Sequence, residues 1–216
     1  RALPLGGTAR SAKGAHMTEA RWLAAFADVL GRCGAKAGDA CAVLAETQSR
    51  PVLVQLASLA LQQLGARSFV VTVPSPASGA IPVRSTGAST ALAGHDAVVH
   101  SLARCALVVD CTVEGLQHAA ELPAILGGGA RVLVVSNEHP EILERCLPRA
   151  EDETIVRDAM RRLKSAKRMN VFSRAGTDLR IDLAGARVGG VWGFTSKPGT
   201  LTHWPGGLAL AFPAAG

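Results

Sequence analysis

One histidine near the end of this 216-residue sequence, His203, is best placed to do acid–base chemistry. It follows a Pro198-Gly199 turn and precedes Trp204-Pro205, and proline restricts the backbone on either side of it. A neutral imidazole held in this way can accept a proton from a phenolic hydroxyl near neutral pH. The residue types also allow a second interpretation, in which His203 packs between two domains.

Three further polar segments follow predicted strands, and the ends of strands in an open α/β sheet commonly form ligand crevices. They are residues 46–48, 110–112 and 136–139. We interpret the first as a solvated turn, and His139 as the neighbour of a helix cap. His118, which lies beyond the second segment, is predicted either to contact a ligand or to face water at the start of a helix.

Several kinds of site are not expected from the sequence. No glycine-rich phosphate loop follows a strand, and the signatures of P-loop proteins, zinc peptidases and α/β-hydrolases do not occur. The six histidines show no metal-ligand spacing except, loosely, His95 and His100, which we interpret as surface residues. A complete metal site within this sequence is therefore not expected.

The composition predicts a globular protein without nucleic-acid or membrane partners. The net charge is +6, but the densest basic run, residues 161–168, contains no aromatic residue and is predicted to end a helix. No apolar run reaches the roughly 18 residues that a membrane helix needs. The five cysteines form no Cys-x-x-Cys pair, and Cys41, Cys105 and Cys111 are predicted to be buried thiols. Reduced thiols indicate a reducing compartment, so a cytoplasmic location is expected.

The elements that would position these residues alternate between strand and helix. Apolar strands are predicted at 40–46, 67–73, 106–111 and 130–136, and the helices at 18–31, 51–65, 95–104, 117–127, 140–146 and 151–166. A long loop is predicted at 74–94. This alternation predicts an α/β domain over residues 17–167, with a parallel sheet covered by helices on both faces.

The pattern changes after residue 167. Short strands linked by turns are predicted at 169–173, 178–182 and 187–195, with half-exposed alternation in the second. Residues 168–216 are therefore expected to be the truncated, β-rich start of a second domain. Residues 1–16, which precede Met17, are expected to be a tag or a disordered arm.

Three segments carry a resemblance to a known family. Residues 171–178 (Val-Phe-Ser-Arg-Ala-Gly-Thr-Asp), 193–199 (Gly-Phe-Thr-Ser-Lys-Pro-Gly) and 203–213 (His-Trp-Pro-Gly-Gly-Leu-Ala-Leu-Ala-Phe-Pro) resemble 2,5-dihydroxypyridine 5,6-dioxygenases. These enzymes belong to the superfamily of M29-type metallo-aminopeptidases. The Ala-Gly-Thr-Asp segment is shared with the aminopeptidases, whereas His-Trp-Pro-Gly-Gly is more specific to the dioxygenases. The likeness runs from about residue 18 to the end of the sequence.

The resemblance implies a mononuclear non-haem Fe(II) enzyme that opens a dihydroxylated pyridine ring with O2, as in bacterial breakdown of nicotinic acid or nicotine. His203 is then expected to be catalytic, and His118 and Trp204 to bind substrate, although His118 follows Asp110 at a longer spacing than the family pattern. The resemblance also implies that the second domain, which residues 168–216 begin, is the catalytic one. The iron ligands are expected outside this chain, and a homo-oligomer is implied. Two alternatives stay open: an M29-type metallo-aminopeptidase, and a non-catalytic domain for substrate gating or assembly.

Overall fold

The computed structural model describes residues 18–77 and 87–213. The predicted arm at residues 1–16 and the middle of the predicted 74–94 loop lie outside the described residues. The helices are α1 (Ala20–Arg32), α2 (Pro51–Gln63), α3 (Asp96–Ala103), α4 (Leu122–Gly127), α5 (Pro140–Arg145) and α6 (Asp152–Ser165). The strands are β1 (Ala40–Glu46), β2 (Arg67–Val73), β3 (Leu107–Asp110), β4 (Arg131–Val135), β5 (Arg168–Phe172), β6 (Asp178–Asp182), β7 (Arg187–Val191), β8 (Leu201–Trp204) and β9 (Leu208–Phe212).

The predicted α/β class is confirmed. Five strands form one parallel sheet in the order β2-β1-β3-β4-β8. Buried residues form one apolar cluster on the face that carries α1 and α2, and a second on the face that carries α3 and α4. All four residues of β3 are buried, as expected for a strand covered on both faces.

The sheet order places a topological switch at β1 and β3. The chain runs from β1 to β2 at one edge and then crosses back to β3 on the other side of β1. Loops that leave the carboxyl ends of such neighbouring strands diverge and open a crevice between them. The residues that follow β1, β3 and their neighbouring strands are therefore the candidates to line a ligand site.

Two helices begin at least two residues later than the sequence predicts. Helix α1 begins at Ala20, with Glu19 as its N-cap, rather than at residue 18. Helix α4 begins at Leu122 rather than near residue 117, and Pro123 occupies its first turn, a position that proline tolerates well. The residues before α4 form turns instead, and they contribute to the cavity described below.

The residues after 167 are divided between two kinds of structure. Strands β5 and β6 pair antiparallel, as do β7 and β9, and α6 packs against β7 so closely that a Cβ on Gly190 would lie 2.7 Å from Val156 Cγ1. Strand β8, however, pairs in parallel with β4 and completes the first sheet. The domain boundary near residue 167 stays a prediction, and one strand beyond it belongs to the first sheet.

Cysteine burial leads to a prediction about thiol reactivity. Cys146 is exposed, whereas Cys33, Cys41, Cys105 and Cys111 are buried. Burial raises the pKa of Cys33 and of Cys41 to about 11. We expect one thiol to react rapidly with Ellman's reagent at pH 8 in the folded protein, and five after denaturation, because reaction requires an accessible thiolate. Rapid reaction of two or more thiols in the folded protein would contradict this burial.

The raised pKa values of Cys33 and Cys41 also determine how stability changes with pH. The pKa of these buried thiols is higher in the folded protein than the ordinary value of 9.0. The unfolded chain therefore ionises first as the pH rises, and the free energy of unfolding falls between pH 9 and about 11.

No helix in the described part of the chain is long and apolar enough to cross a membrane.

Candidate functional site

A cavity of about 220 Å³ lies at the carboxyl ends of β3, β4 and β8. Its volume suits a ligand of one ring better than a drug-sized molecule, since sites for the latter span about 300–1,000 Å³. Its wall is formed by the ends of β3, β4 and β8, the segments that follow them, and the end of the loop before α3. The lining residues are Gly87, Thr112, Val113, Glu114, Gly115, Gln117, Val134, Val135, Ser136, Asn137, His203 and Pro205.

Two other depressions are larger but do not lie at the carboxyl ends of the parallel strands. One, of about 390 Å³, is lined by residues 154–164, which belong to the single helix α6. The other, of about 300 Å³, lies between α6 and residues 190–202. We therefore take the cavity at the strand ends as the candidate site.

His203 lies on β8, and its imidazole lines this cavity. Its Nδ1 is 2.7 Å from the carbonyl oxygen of Pro205. Because a carbonyl oxygen can only accept, Nδ1 carries the hydrogen, and in the neutral ring Nε2 is left as an acceptor. The prediction that local structure holds His203 rigidly agrees with this contact.

The segment after His203 is held by a close backbone approach. The Trp204–Pro205 bond is cis, and a Cβ placed on Gly206 would lie 2.5 Å from the carbonyl carbon of Trp192. Gly207, at φ +91°, donates its N–H to the carbonyl oxygen of Val191. The two glycines of the His-Trp-Pro-Gly-Gly motif are therefore needed by the backbone, which links β8 to the β7–β9 pair.

Trp204 is placed in the core rather than at the cavity. Its indole is fully buried, lies 5.0 Å from the ring of Phe26, and donates from Nε1 to the carbonyl oxygen of Cys146 at 2.9 Å. Successive residues of a strand point to opposite faces, so His203 and Trp204 cannot face the same ligand from β8. The fold gives Trp204 a packing role and provides no contact from it to the cavity.

His118 is also not brought to the cavity wall. Its side chain is exposed, and its backbone N–H donates to the carbonyl oxygen of Gly87. The neighbouring Gln117 lines the cavity instead. The structure therefore does not bring together the two histidines singled out from the sequence.

The segment after β3 is organised by a buried carboxylate, Asp110. Its Oδ1 accepts from the backbone N–H and the hydroxyl of Thr112, at 2.9 and 2.7 Å, and its Oδ2 accepts from the N–H of Leu116 at 2.7 Å. Burial raises the pKa of Asp110, and these hydrogen bonds partly oppose that shift. Asp110 therefore fixes residues 112–116, of which 112–115 line the cavity, without being part of the lining itself.

Glu46 corrects an interpretation made from the sequence. It was predicted to lie in a solvated turn, but it is 4% exposed, and its Oε1 accepts from the backbone N–H of Val113. This contact joins the end of β1 to the segment after β3, 67 residues further along the chain. His139 was predicted to neighbour a helix cap, but it is itself the N-cap of α5, and its Nδ1 accepts from the N–H of Glu141 at 3.3 Å.

The role of Asp110 gives a prediction for stability and binding together. We expect Asp110→Ala to lower the free energy of unfolding by about 2–4 kcal/mol, because three buried donors lose their acceptor. Asp110→Asn should cost less, because its amide oxygen can still accept from Thr112. Urea denaturation measures the first effect, and a rise in the Kd for a ring ligand measures the displacement of the cavity wall. The exposed Asp178→Ala serves as the control, and equal stability of the Asp110 and Asp178 variants would contradict this role.

No group of three or more His, Cys, Asp or Glu side chains in the described residues is arranged to hold a metal ion. The cavity supplies a histidine, a glutamate, amides and hydroxyls, which suit hydrogen bonding to a small polar ring. The residues that the structure describes therefore do not form a site for Fe(II).

These features define a class: an open, parallel α/β domain with a cavity of single-ring size at its strand ends and one oriented histidine in the cavity wall. The family model for 2,5-dihydroxypyridine 5,6-dioxygenase matches residues 21–216, and the chain belongs to this family.

Two comparisons with individual proteins agree with this membership. The chain is 34% identical over 175 residues to a 2,5-dihydroxypyridine 5,6-dioxygenase of Pseudomonas putida KT2440, an alignment that covers 80% of this chain and 49% of the relative. A solved structure of 2,5-dihydroxypyridine dioxygenase from Pseudomonas putida KT2440 superposes with a TM-score of 0.78 at 32% identity, covering 89% of this chain and 56% of that one. The chain thus spans about half the length of the curated relative.

Proposed function

We propose that this chain forms the substrate-binding wall of an enzyme that opens the ring of 2,5-dihydroxypyridine, or a similar dihydroxylated N-heteroaromatic, with O2. Membership of the family supports the reaction. The observation that carries the assignment of the site is His203, whose Nδ1 is engaged by Pro205 and whose ring lines a cavity of single-ring size.

In this proposal His203 acts as the base for a ring hydroxyl. Its Nε2 accepts the hydroxyl proton, and the Pro205 carbonyl steadies the resulting imidazolium through Nδ1–H. Removing that proton places negative charge on the ring oxygen and makes the ring richer in electrons. An electron-rich ring is the form that reacts with an oxidant such as O2.

The other cavity residues orient the ring and exclude water from it. Thr112 is held by Asp110, and Gln117 lies on the same wall, so polar groups surround a largely apolar space. A positioned ring and a fixed base lower the entropic part of the barrier before chemistry begins.

Fe(II) enters the proposal through the resemblance, with its ligands expected outside this chain. An extradiol-type course for the ring opening rests on the same ground. A homo-oligomer and a cytoplasmic location stay predictions.

Oxygen uptake tests this function. The full-length gene product, reconstituted anaerobically with Fe(II), is mixed with 2,5-dihydroxypyridine in an oxygen electrode, and we expect one O2 to be consumed for each ring opened. Absence of uptake, combined with release of amino acids from short peptides under Co(II) or Zn(II), would assign the protein to the aminopeptidase alternative instead.

A further inference from the structure

One hydroxyl in the cavity wall, that of Ser136, has no hydrogen-bond partner. Ser136 follows β4, is half-buried and lines the cavity together with His203. Its Oγ makes no hydrogen bond with the residues that the structure describes, and it is not among their unpaired polar atoms that are shielded from solvent. This hydroxyl is therefore both unpaired and accessible, as a group that contacts a ligand must be.

The register of the sheet turns Ser136 to the same side as His203. His203 lies opposite Val134 in the parallel pair of β4 and β8, and Val134 also lines the cavity. The N–H of Ser136 continues this ladder by donating to the carbonyl oxygen of Trp204 at 2.9 Å. Side chains two residues apart on a strand point to the same face, so Ser136 shares the cavity face of Val134 and His203.

The spacing of these two residues suits the two ends of one ring. With about 4.8 Å between strands and about 3.3 Å per residue, the Cα atoms of Ser136 and His203 are roughly 8 Å apart. Both backbone polar groups of Ser136 are engaged, because its carbonyl oxygen also accepts from the N–H of Glu138 at 2.7 Å. The sheet therefore fixes Ser136 and His203 relative to each other, as residues that contact two parts of one ligand would need to be.

Ser136 is also the hydroxyl that is free to donate. The hydroxyls among the lining residues that the structure describes are those of Thr112 and Ser136. The hydroxyl of Thr112 donates to Asp110 Oδ1 at 2.7 Å and accepts from the N–H of Gly115 at 3.2 Å, so it is already used. A ligand oxygen that needs a hydroxyl donor in this cavity therefore finds it at Ser136.

His203 and Ser136 are complementary to different oxygens. Nε2 of the neutral imidazole accepts, so it pairs with a ring hydroxyl, whereas the serine hydroxyl can donate to an oxygen that carries no hydrogen. In its 2-pyridone tautomer, 2,5-dihydroxypyridine offers both, a hydroxyl on C5 and a carbonyl oxygen on C2. A ring with the hydroxyl alone would leave Ser136 unpaired.

We propose that Ser136 donates its hydroxyl hydrogen to the C2 oxygen of the ring while His203 accepts from the C5 hydroxyl, so that the site selects rings with two oxygen substituents over rings with one. The identity of the ring rests on the proposed function, whereas the selectivity is a property of binding and is measured without turnover. Ser136 is then a specificity residue, and His203 remains the base.

The test compares 2,5-dihydroxypyridine with 3-hydroxypyridine, which keeps the hydroxyl for His203 and lacks the C2 oxygen. Anaerobic calorimetric titration of the full-length gene product, reconstituted with Fe(II), gives the two Kd values. We expect the wild type to prefer the dihydroxylated ring, and Ser136→Ala to weaken its binding about 5- to 20-fold while leaving 3-hydroxypyridine binding nearly unchanged. Ser136→Cys keeps the size of the side chain with a weaker donor, so a loss in the same direction is expected, and this variant decides the matter if the alanine variant does not fold.

The matched control is Ser101→Ala, the same change at an exposed serine of α3 whose hydroxyl donates to the carbonyl oxygen of Ala97, and it should alter neither Kd. A Ser136→Ala variant that binds the dihydroxylated ring as the wild type does, or that binds both rings more weakly by the same factor, would overturn the inference even if O2 uptake is normal. Absence of O2 uptake with a preference that depends on Ser136 would refute the proposed function and leave the inference standing.

Discussion

Replacing His203 by alanine should lower kcat for ring opening by about 10²- to 10⁴-fold, the usual contribution of a positioned general base. His203→Gln should lower kcat similarly but raise KM less, because glutamine can still hydrogen-bond the hydroxyl without taking its proton. Steady-state O2 uptake over a range of substrate concentrations separates the two parameters. The control is His100→Ala, because His100 is exposed on α3 and its Nδ1 contacts only the carbonyl oxygen of Asp96 among the described residues.

A spectroscopic measurement distinguishes the base from a merely structural histidine. The ionised hydroxypyridine absorbs at longer wavelength than the neutral ring, so the anaerobic complex of the wild type should show the ionised band. In His203→Gln this band should be weaker when the same fraction of the protein has the ring bound. If the glutamine variant shows the full ionised band and normal kcat, His203 is a packing residue, which is the alternative that the sequence left open.

The largest effect on stability is expected at Trp204. Trp204→Ala should lower the free energy of unfolding by about 3–5 kcal/mol, because the fully buried indole leaves a cavity beside Phe26. Trp204→Phe keeps most of the apolar contact and loses the hydrogen bond to Cys146, so about 1–2 kcal/mol is expected.

Urea denaturation measures these values, with Trp192→Ala as the control. Trp192 is half-buried, and the guanidinium of Arg157 lies 4.7 Å from the centre of its ring. Trp192→Ala should therefore lower the free energy of unfolding by less than Trp204→Ala. If Trp204→Ala were as stable as the wild type but failed to bind the ring, Trp204 would be a substrate contact, as the sequence predicted, and not a core residue.

The strands with strong apolar patterns could be predicted from the sequence, and those defined by distant pairing could not. Strands β1 and β2 have the bounds that their apolar runs predicted, 40–46 and 67–73. Strand β8 has only four residues, among them Thr202 and His203, and its place beside β4 depends on partners about 70 residues away, with Val132 opposite Leu201. Short-range pattern carries no information about such pairing.

Only part of the candidate site could be predicted, because only part of it is defined by residues that are close in sequence. His203 could be singled out because the prolines and glycines around it are local signals. Glu46 appeared to be solvated, since its partner, the N–H of Val113, is distant in sequence. One available signal was missed: if residues 201–204 form a strand, His203 and Trp204 must face opposite sides, so only one of them can line a pocket.

The central claim is that the cavity at the ends of β3, β4 and β8 holds the substrate ring. The most direct measurement is a crystal structure of the full-length gene product soaked anaerobically with 2,5-dihydroxypyridine. We predict density for one ring in this cavity, with a hydroxyl within hydrogen-bond distance of His203 Nε2. A ring bound elsewhere, for example between α6 and β7, with this cavity filled only by water, would contradict the account.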